Sequence, residues 1–199
     1  MSSSTRRARE RNALRERITE AAFRVLETEG ATALTIRRIA AEVEYTAPVV
    51  YQHFANKDAL VLELVTRGYD LMVVEFEQVA GEPDLDQRVL RTGSAFVRFA
   101  CEHPHLYQAM NGTVIDANDR RRAAEPAIEM VTELLSAWAE THGVVLVDRT
   151  EACEIVWGTL AGMSSLGDLG TVGSERAQRL AEQALGAILL GWRSKGSSG

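Results

Sequence analysis

Side chains suited to contact nucleic acid crowd into residues 46–57 of this 199-residue chain. Gln52 and His53 offer hydrogen-bonding groups, and Lys57 adds a cation just after Asn56, a residue that caps helices well. The free backbone amides at a helix start attract phosphate, so Lys57 and that helix start together indicate a phosphate site. The spacing therefore indicates a surface that binds DNA.

A first short helix is predicted just before this stretch. Thr35 is a plausible N-cap. The apolar residues Ile36, Ile39, Ala40 and Val43 then recur at helical spacing on one face. This helix is expected to end near Val43.

A second short helix is predicted after a tight turn at residues 44–45. The Thr46 hydroxyl is expected to cap it, and Pro48 lies in its first turn, where a missing N–H costs nothing. Val49, Val50 and Phe54 are expected to pack it against the first helix. Small Ala40 permits the close crossing of a helix-turn-helix that presents its second helix to a major groove.

Two interpretations of this helix pair remain open at this point. In the first, outward-facing side chains of the second helix contact DNA, with His53 near the backbone. In the second, the pair with its Tyr and His is only core packing. The residues expected to face outward are Thr46, Ala47, Tyr51 and Gln52.

The whole pattern from Arg17 to Leu64 resembles the N-terminal domain of TetR-family transcriptional regulators. The residues that carry the resemblance are Ile18, Ala21, Ala22, Gly30, Leu34, Thr35, Ile39, Ala40, Tyr51, His53, Phe54, Lys57 and Leu60. It implies phosphate contacts from Tyr51, His53 and Lys57 and base contacts near the start and end of the second helix. The expected DNA-binding residues are Thr35, Arg37, Thr46, Ala47, Pro48, Tyr51, Gln52, His53 and Lys57.

One residue departs from the family pattern. Glu44 stands in the turn where these proteins usually have glycine. A glutamate at positive φ costs on the order of 1 kcal/mol, and its charge is expected to face the phosphates.

The charge of the chain is unevenly divided. Overall it holds 22 basic and 28 acidic residues, a balance that by itself argues against a nucleic-acid-binding protein. Residues 1–57, however, hold 10 basic and 7 acidic residues, a net charge of +3. This leaves 12 and 21, a net −9, for residues 58–199. The arginines before residue 18 predict either a basic arm that lies along or enters a minor groove or a solvated, frayed terminus. The segment lacks the apolar core of a signal peptide.

The rest of the chain shows helical periodicity, so the fold class is all-α. We expect a helix-turn-helix domain over residues 1–57, a helical effector-binding and dimerisation domain over 58–193 and a flexible tail over 194–199. Helices are predicted at about 12–29, 57–79, 84–103, 105–110, 148–166 and 174–192, with a long one before Gly143 that starts late or kinks at Pro126. Asp84 is expected to begin one of these helices, and Asp148 and Ser174 are expected to cap the last two. The unpaired Cys101 and Cys153 and the lack of a long apolar run indicate a cytoplasmic protein.

The last two predicted helices are rich in small residues. These and the neighbouring aliphatic residues predict a two-fold four-helix bundle, hence a homodimer that binds a palindromic operator, whereas the alternative is one protomer's own helix pair. The residues are Gly158, Leu160, Ala161, Gly162, Ala177, Leu180, Ala181, Ala184, Leu185, Ala187 and Ile188.

Large aromatic residues and methionines between these two regions suggest an apolar small-molecule cavity, although each residue by itself fits a core position better. The expected ligand-binding residues are Phe76, Phe96, Phe99, Tyr107, Met110, Trp138 and Trp157, with Met163 nearby and His105, Gln108 and Asn111 as polar anchors.

Residues 103–110 and 157–166 also resemble a TetR subgroup with a C-terminal Trp-His-Gly motif, although Ser164 or a neighbour replaces the histidine. Together with the TetR resemblance of the N-terminal domain, the aromatic residues predict a repressor that an apolar or aromatic effector releases from DNA.

A rival class is a helical protein with a metal or catalytic site. Cys101, His103 and His105 are spaced so that only the first and last share a helix face, too few for a metal. No nucleophile elbow, dinucleotide motif or phosphate loop occurs, so we expect no enzyme and no cofactor. A DNA-binding regulator without an effector stays open as a further alternative.

Overall fold

The computed structural model describes residues 3–168 and 172–196, with side chains given for 5–167 and 172–194. In these ranges the secondary structure consists of nine helices without a strand, as expected for an all-α fold. The helices are α1 (Ser3–Glu29), α2 (Ile36–Glu42), α3 (Ala47–Tyr51), α4 (Lys57–Glu77), α5 (Leu85–Glu102), α6 (Pro104–Asn111), α7 (Ala117–Thr141), α8 (Arg149–Asp168) and α9 (Ser174–Gly196).

Four predicted helix caps are confirmed by hydrogen bonds. The Thr35 hydroxyl accepts from the Arg38 amide at 3.1 Å, and Asn56 Oδ1 accepts from the Ala59 amide at 2.8 Å. Asp84 and Asp148 accept in the same way from the first amides of α5 and α8. These short polar side chains therefore determine where four helices begin.

Two predicted caps are wrong. Thr46 occupies the N-cap position of α3, but its side chain forms no capping hydrogen bond. Ser174 is the first residue of α9, and the Gly173 carbonyl accepts from the Arg176 and Ala177 amides. A local sequence pattern finds the region of a helix start but shifts easily by one residue.

The N-terminal helix begins about nine residues earlier than predicted. α1 starts at Ser3 rather than near Asn12, so the arginine-rich segment is helical rather than an extended arm. An ion pair at i, i+4 spacing, Arg6 Nε to Glu10 Oε1 at 2.8 Å, supports this added length. At the other end of the chain, α9 continues beyond Trp192 to Gly196, and residues 197–199 of the predicted tail lie outside the described residues.

The chain divides into two compact units. The first contains the residues up to Gly68 together with His105–Ala123, so α6 belongs to it. Apolar faces of α1, α2, α3, the start of α4 and α6 are buried there. The residues at its core include Ile18, Ala22, Leu26, Ile39, Val50, Phe54, Leu60, Leu64 and Leu106.

The second unit contains Tyr69–Pro104 and the residues from Ala124 onward. In it α5 packs against α8 and α9, and the absence of a side chain at Gly93 makes room for Leu185, with which a Cβ there would collide. Pro126 lies inside α7, where it deprives the Arg122 carbonyl of its helical donor without ending the helix. The core residues include Val89, Phe96, Val131, Trp138, Val156, Leu160, Ala181 and Leu185.

No helix among the described residues is both long enough and apolar enough to cross a membrane.

Candidate nucleic-acid interface

Helices α2 and α3 cross closely, with the turn between them set by backbone hydrogen bonds. The Tyr45 amide donates to the Ala40 carbonyl at 2.8 Å and the Glu44 amide to the Ala41 carbonyl at 3.2 Å. Glu44 has φ 61°, the left-handed conformation that the glycine usual in the family at this turn position implied. Ala40 is 3% exposed, so its small side chain lies at the crossing.

Helix α3 is anchored by one face and open on the other. Val50 and Phe54 are buried in the first unit, whereas Val49 is half-buried. The structure brings the predicted DNA-contact residues of α3 together on the opposite side, where Tyr51 is 54% exposed. The exposed members are Thr46, Pro48, Tyr51 and Gln52, and Ala47 is half-buried among them. An anchored helix with one exposed face is the arrangement that enters a major groove.

Thr35 and Arg37, predicted beside this surface, are exposed at the start of α2. The Thr35 hydroxyl caps its helix and is occupied by the Arg38 amide. Arg38 is held by Glu29 and Glu42, which raise the pKa of its guanidinium through hydrogen bonds and charge. Arg37 forms no ion pair among the described residues, so its guanidinium is available to phosphate.

The C-terminal end of α3 is held by Arg15, whose role the sequence did not reveal. Arg15 Nη1 donates to the His53 carbonyl at 2.7 Å, and Nη2 lies 2.5 Å from Glu63 Oε2. Its guanidinium also lies over the Phe54 ring, 4.2 Å from the centroid. These contacts fix α3 relative to α1 and α4.

His53 is half-buried beside two cations. Partial burial, together with the charges of Arg11 and Arg15, lowers the pKa of its imidazole. The lowered pKa favours the neutral imidazole at pH 7, which still offers one N–H as a hydrogen-bond donor.

Lys57 has an internal partner that the sequence did not predict. Its Nζ donates to the Ala31 carbonyl at 3.2 Å, which ties the start of α4 to the loop after α1. An ammonium has three donors, so this bond leaves two for phosphate. Lys57 thus joins the start of α4 to the loop after α1, and its two remaining donors are available to an anion at the N-terminus of α4.

The predicted ligand-binding residues do not form one cavity. Phe76, Phe96 and Trp157 pack together, with Phe96 and Trp157 edge to face at a centroid distance of 5.1 Å. The space that they line has a volume of about 10 Å³, so it is filled by side chains. Next to it, sharing Phe76, Thr92 and Leu134, is an open groove of about 280 Å³.

The other expected ligand residues lie elsewhere. Phe99 packs against His103, and the Trp138 indole donates to Asp86 at 2.8 Å, away from the filled space. Tyr107 and Met110 belong to the first unit. The prediction placed all seven together because large apolar residues at helical spacing look alike in sequence, whether they line a cavity or fill a core.

The Cys/His alternative gains no support. Both cysteines are free thiols, and burial raises the pKa of Cys153. In the described ranges, no three His, Cys, Asp or Glu side chains are grouped so as to hold a metal ion.

Comparison with known proteins agrees with this geometry. Residues 18–64 match the family described as bacterial regulatory proteins, tetR family, and residues 89–188 match the tetracyclin repressor-like C-terminal domain. An uncharacterized HTH-type transcriptional regulator of Mycobacterium tuberculosis is 27% identical over 153 residues, 68% of this chain and 70% of that protein.

Solved structures share the fold at low identity. A protein of unknown function from Rhodococcus superposes with a TM-score of 0.78 at 19% identity, covering 90% of this chain and 95% of that one. The fatty acid degradation regulator FadR from Bacillus halodurans gives 0.69 at 16%, covering 85% and 96%. With both of its domains matched and a helix-turn-helix exposed for DNA, the chain belongs to the TetR family of DNA-binding transcriptional regulators.

Proposed function

We propose that this protein is a homodimeric repressor that binds a palindromic operator and leaves it when a small apolar or aromatic effector binds. The observation that carries the DNA-binding half is the open face of α3, with Tyr51 and Gln52 exposed while Val50 and Phe54 anchor the helix. In this proposal Ala47, Pro48 and Gln52 contact bases. Tyr51, His53 and Lys57 contact phosphates and set the register.

The dimer half of the proposal rests on the outer faces of α8 and α9. Gly158, Gly162 and Gly186 have no atom within 4 Å of where a Cβ would stand, and Leu190 is 64% exposed. By contrast, Leu160, Ala181 and Leu185 pack inside the protomer. A second copy would cover the open glycines and Leu190. If each copy uses this same surface, the two copies are related by a two-fold axis.

The effector half rests on the filled space next to the open groove. A ligand that enters the groove and displaces Phe76 would join the two volumes among Phe96 and Trp157. Opening of this space changes DNA binding only if the protein has two conformations that differ in operator affinity and the effector binds one of them more tightly. Linkage is reciprocal, so an effector that weakens operator affinity tenfold has its own affinity lowered tenfold by operator, about 1.4 kcal/mol.

A second candidate is a DNA-binding regulator without an effector. One observation favours it: the aromatic side chains leave only about 10 Å³ among them. The two candidates differ in ligand binding and not in operator binding.

A medium-chain fatty acid is the first probe, because one protein of the same fold is a fatty acid degradation regulator. The effector proposal predicts a rise in melting temperature, a change in tryptophan fluorescence and release from operator. Trp157→Phe should remove most of the fluorescence change, whereas the matched control Trp138→Phe should keep it. If neither fatty acids nor planar aromatic compounds raise the melting temperature of a protein that still binds operator, the second candidate is correct.

A further inference from the structure

The N-terminal half of α1 carries basic side chains that the proposed function does not use. Arg7, Arg11 and Arg15 follow one another at i, i+4, i+8 spacing, which puts them on one face of the helix. With Ala8, Asn12 and His53 they line a concave surface of about 370 Å³. We call this surface the α1 concavity. It adjoins α3, since His53 comes directly after Gln52, the C-cap residue of α3.

The charge of the α1 concavity is only partly neutralised. Arg15 is paired with Glu63, and the Arg6–Glu10 pair involves residues that do not line it. Arg7 and Arg11 are exposed and form no ion pair among the described residues. Partial burial is the main reason that the pKa of His53 is lowered, but the charges of Arg11 and Arg15 add to it, so their positive potential reaches this side chain. Two of the three arginines that line the surface therefore have no acidic partner in the described part of the chain.

We propose that the α1 concavity binds the phosphate backbone of operator DNA outside the base pairs that α3 contacts. The inference rests on the proposed DNA-binding function and adds a second, sequence-independent contact to each half-site. Arg7 and Arg11 are separated by about 6 Å along the helix axis, so their two guanidiniums can each meet a different phosphate of one DNA strand. Small Ala8 leaves room for the sugar-phosphate chain, and the Asn12 amide offers another donor.

The contact is built into a regular helix, and this distinguishes it from a flexible arm. A helix of this width does not fit the narrow minor groove, so the arginines meet phosphates rather than base edges. The proposal therefore predicts that affinity depends on the length of DNA flanking the half-sites and not on the flanking sequence.

The test uses the full-length protein and an operator obtained by selection from random duplexes. One duplex ends at the outer selected base pairs, and a second extends about half a helical turn, ~5 base pairs, beyond each end. Wild type should bind the longer duplex more tightly, at least tenfold at ~0.1 M salt, with the salt slope steeper by about 1.8 per protomer for two added phosphates.

Matched variants locate the effect. Arg7→Ala with Arg11→Ala should lose the gain from the longer duplex while keeping the same selected base pairs. Arg6→Ala with Arg9→Ala removes the same charge from residues that do not line the α1 concavity and should keep the gain. Arg7→Lys with Arg11→Lys should also keep most of the gain, because lysine meets a phosphate as a point charge. Circular dichroism checks that α1 is intact.

Three results would overturn the proposal. They are equal losses in both alanine pairs, a lysine pair that behaves like the Arg7 and Arg11 alanine pair, and a wild type that binds the two duplexes equally. A wild type that selects no sequence at all would instead overturn the proposed DNA-binding function, so the two failures are distinguishable.

Discussion

Asp86 at the start of α5 forms an ion pair with Arg193 near the end of α9, in which both carboxylate oxygens lie 2.6 Å from Arg193 Nη2. Asp86 Oδ1 also accepts from the Trp138 indole at 2.8 Å, and His142 Nε2 lies 3.7 Å from Oδ2. Arg193 in turn lies over the Trp138 ring, 5.4 Å from the centroid. One carboxylate thus joins three helices of the second unit.

Replacing this carboxylate should destabilise the fold in a pH-dependent way. Burial alone raises the pKa of Asp86, but hydrogen bonds from Arg193 and Trp138 and the nearby positive charges outweigh it and lower the pKa. A carboxyl whose pKa is lower in the folded state stabilises the protein above its unfolded-state pKa and loses that effect as the pH falls through its folded-state pKa. Asp86→Asn should therefore cost about 1–2 kcal/mol at pH 7.

Thermal unfolding checks this, with the exposed Asp70→Asn as control. The difference between wild type and Asp86→Asn should stay constant from pH 8 to about pH 5 and shrink only below about pH 4, where the carboxyl becomes protonated. A difference that is already lost at pH 6 would contradict this assignment to the Asp86 carboxylate.

Glu44 is predicted to lower both stability and DNA affinity. Its backbone has φ 61°, so Glu44→Gly should stabilise the protein by about 1 kcal/mol, or ~2–4 °C in melting temperature. Glu44→Gln keeps the strained backbone and should leave the melting temperature unchanged. Both variants remove an exposed charge beside α3 and should tighten operator binding, more at low salt than at high salt. A glycine variant no more stable than the glutamine variant would contradict the strain argument.

The outer face of α8 is predicted to form the dimer. Gly158→Arg should not disturb the protomer, because nothing lies within 4 Å of the Cβ position and arginine favours helix more than glycine does. It should weaken dimerisation by roughly 100-fold or more, about 3 kcal/mol, since an unpaired charge becomes buried in both copies. Light scattering should then give monomers and gel shifts a matching loss of operator binding.

The control is Gly81→Arg, at an equally open glycine between α4 and α5, which should stay dimeric. Wild-type protein that is monomeric at micromolar concentration would exclude this assembly.

Local features were predictable from sequence because they depend on neighbours. The Thr35 and Asn56 caps depend on residues within one helical turn, whereas the positive φ of Glu44 was implied by the family resemblance. The bonds that hold α3 and α9 join residues 38 and 107 positions apart, Arg15 to His53 and Asp86 to Arg193. No periodicity reports such contacts.

The candidate sites differ in the same way. The surface of α3 was predictable because a helix exposes one face when its other face is apolar. The aromatic residues were not, because Trp138 and Trp157 both lie in apolar helical patterns and differ only in a distant partner, Asp86 for Trp138 and the Phe96 ring for Trp157. Only the tertiary structure separates a tryptophan bonded to a carboxylate from one beside a filled space.

Selection of bound DNA from a random duplex library tests the central claim, that α3 reads operator sequence, most directly. Wild type should enrich a two-fold symmetric site with half-sites about one helical turn or somewhat more apart. Gln52→Ala should relax the preference at one base pair of each half-site, with a loss of about 1–3 kcal/mol in discrimination between base pairs. As a control, Gln87→Ala, at an exposed position on α5, should select the same site as the wild type. Enrichment of no site, or of the same base pairs by wild type and Gln52→Ala, would contradict it.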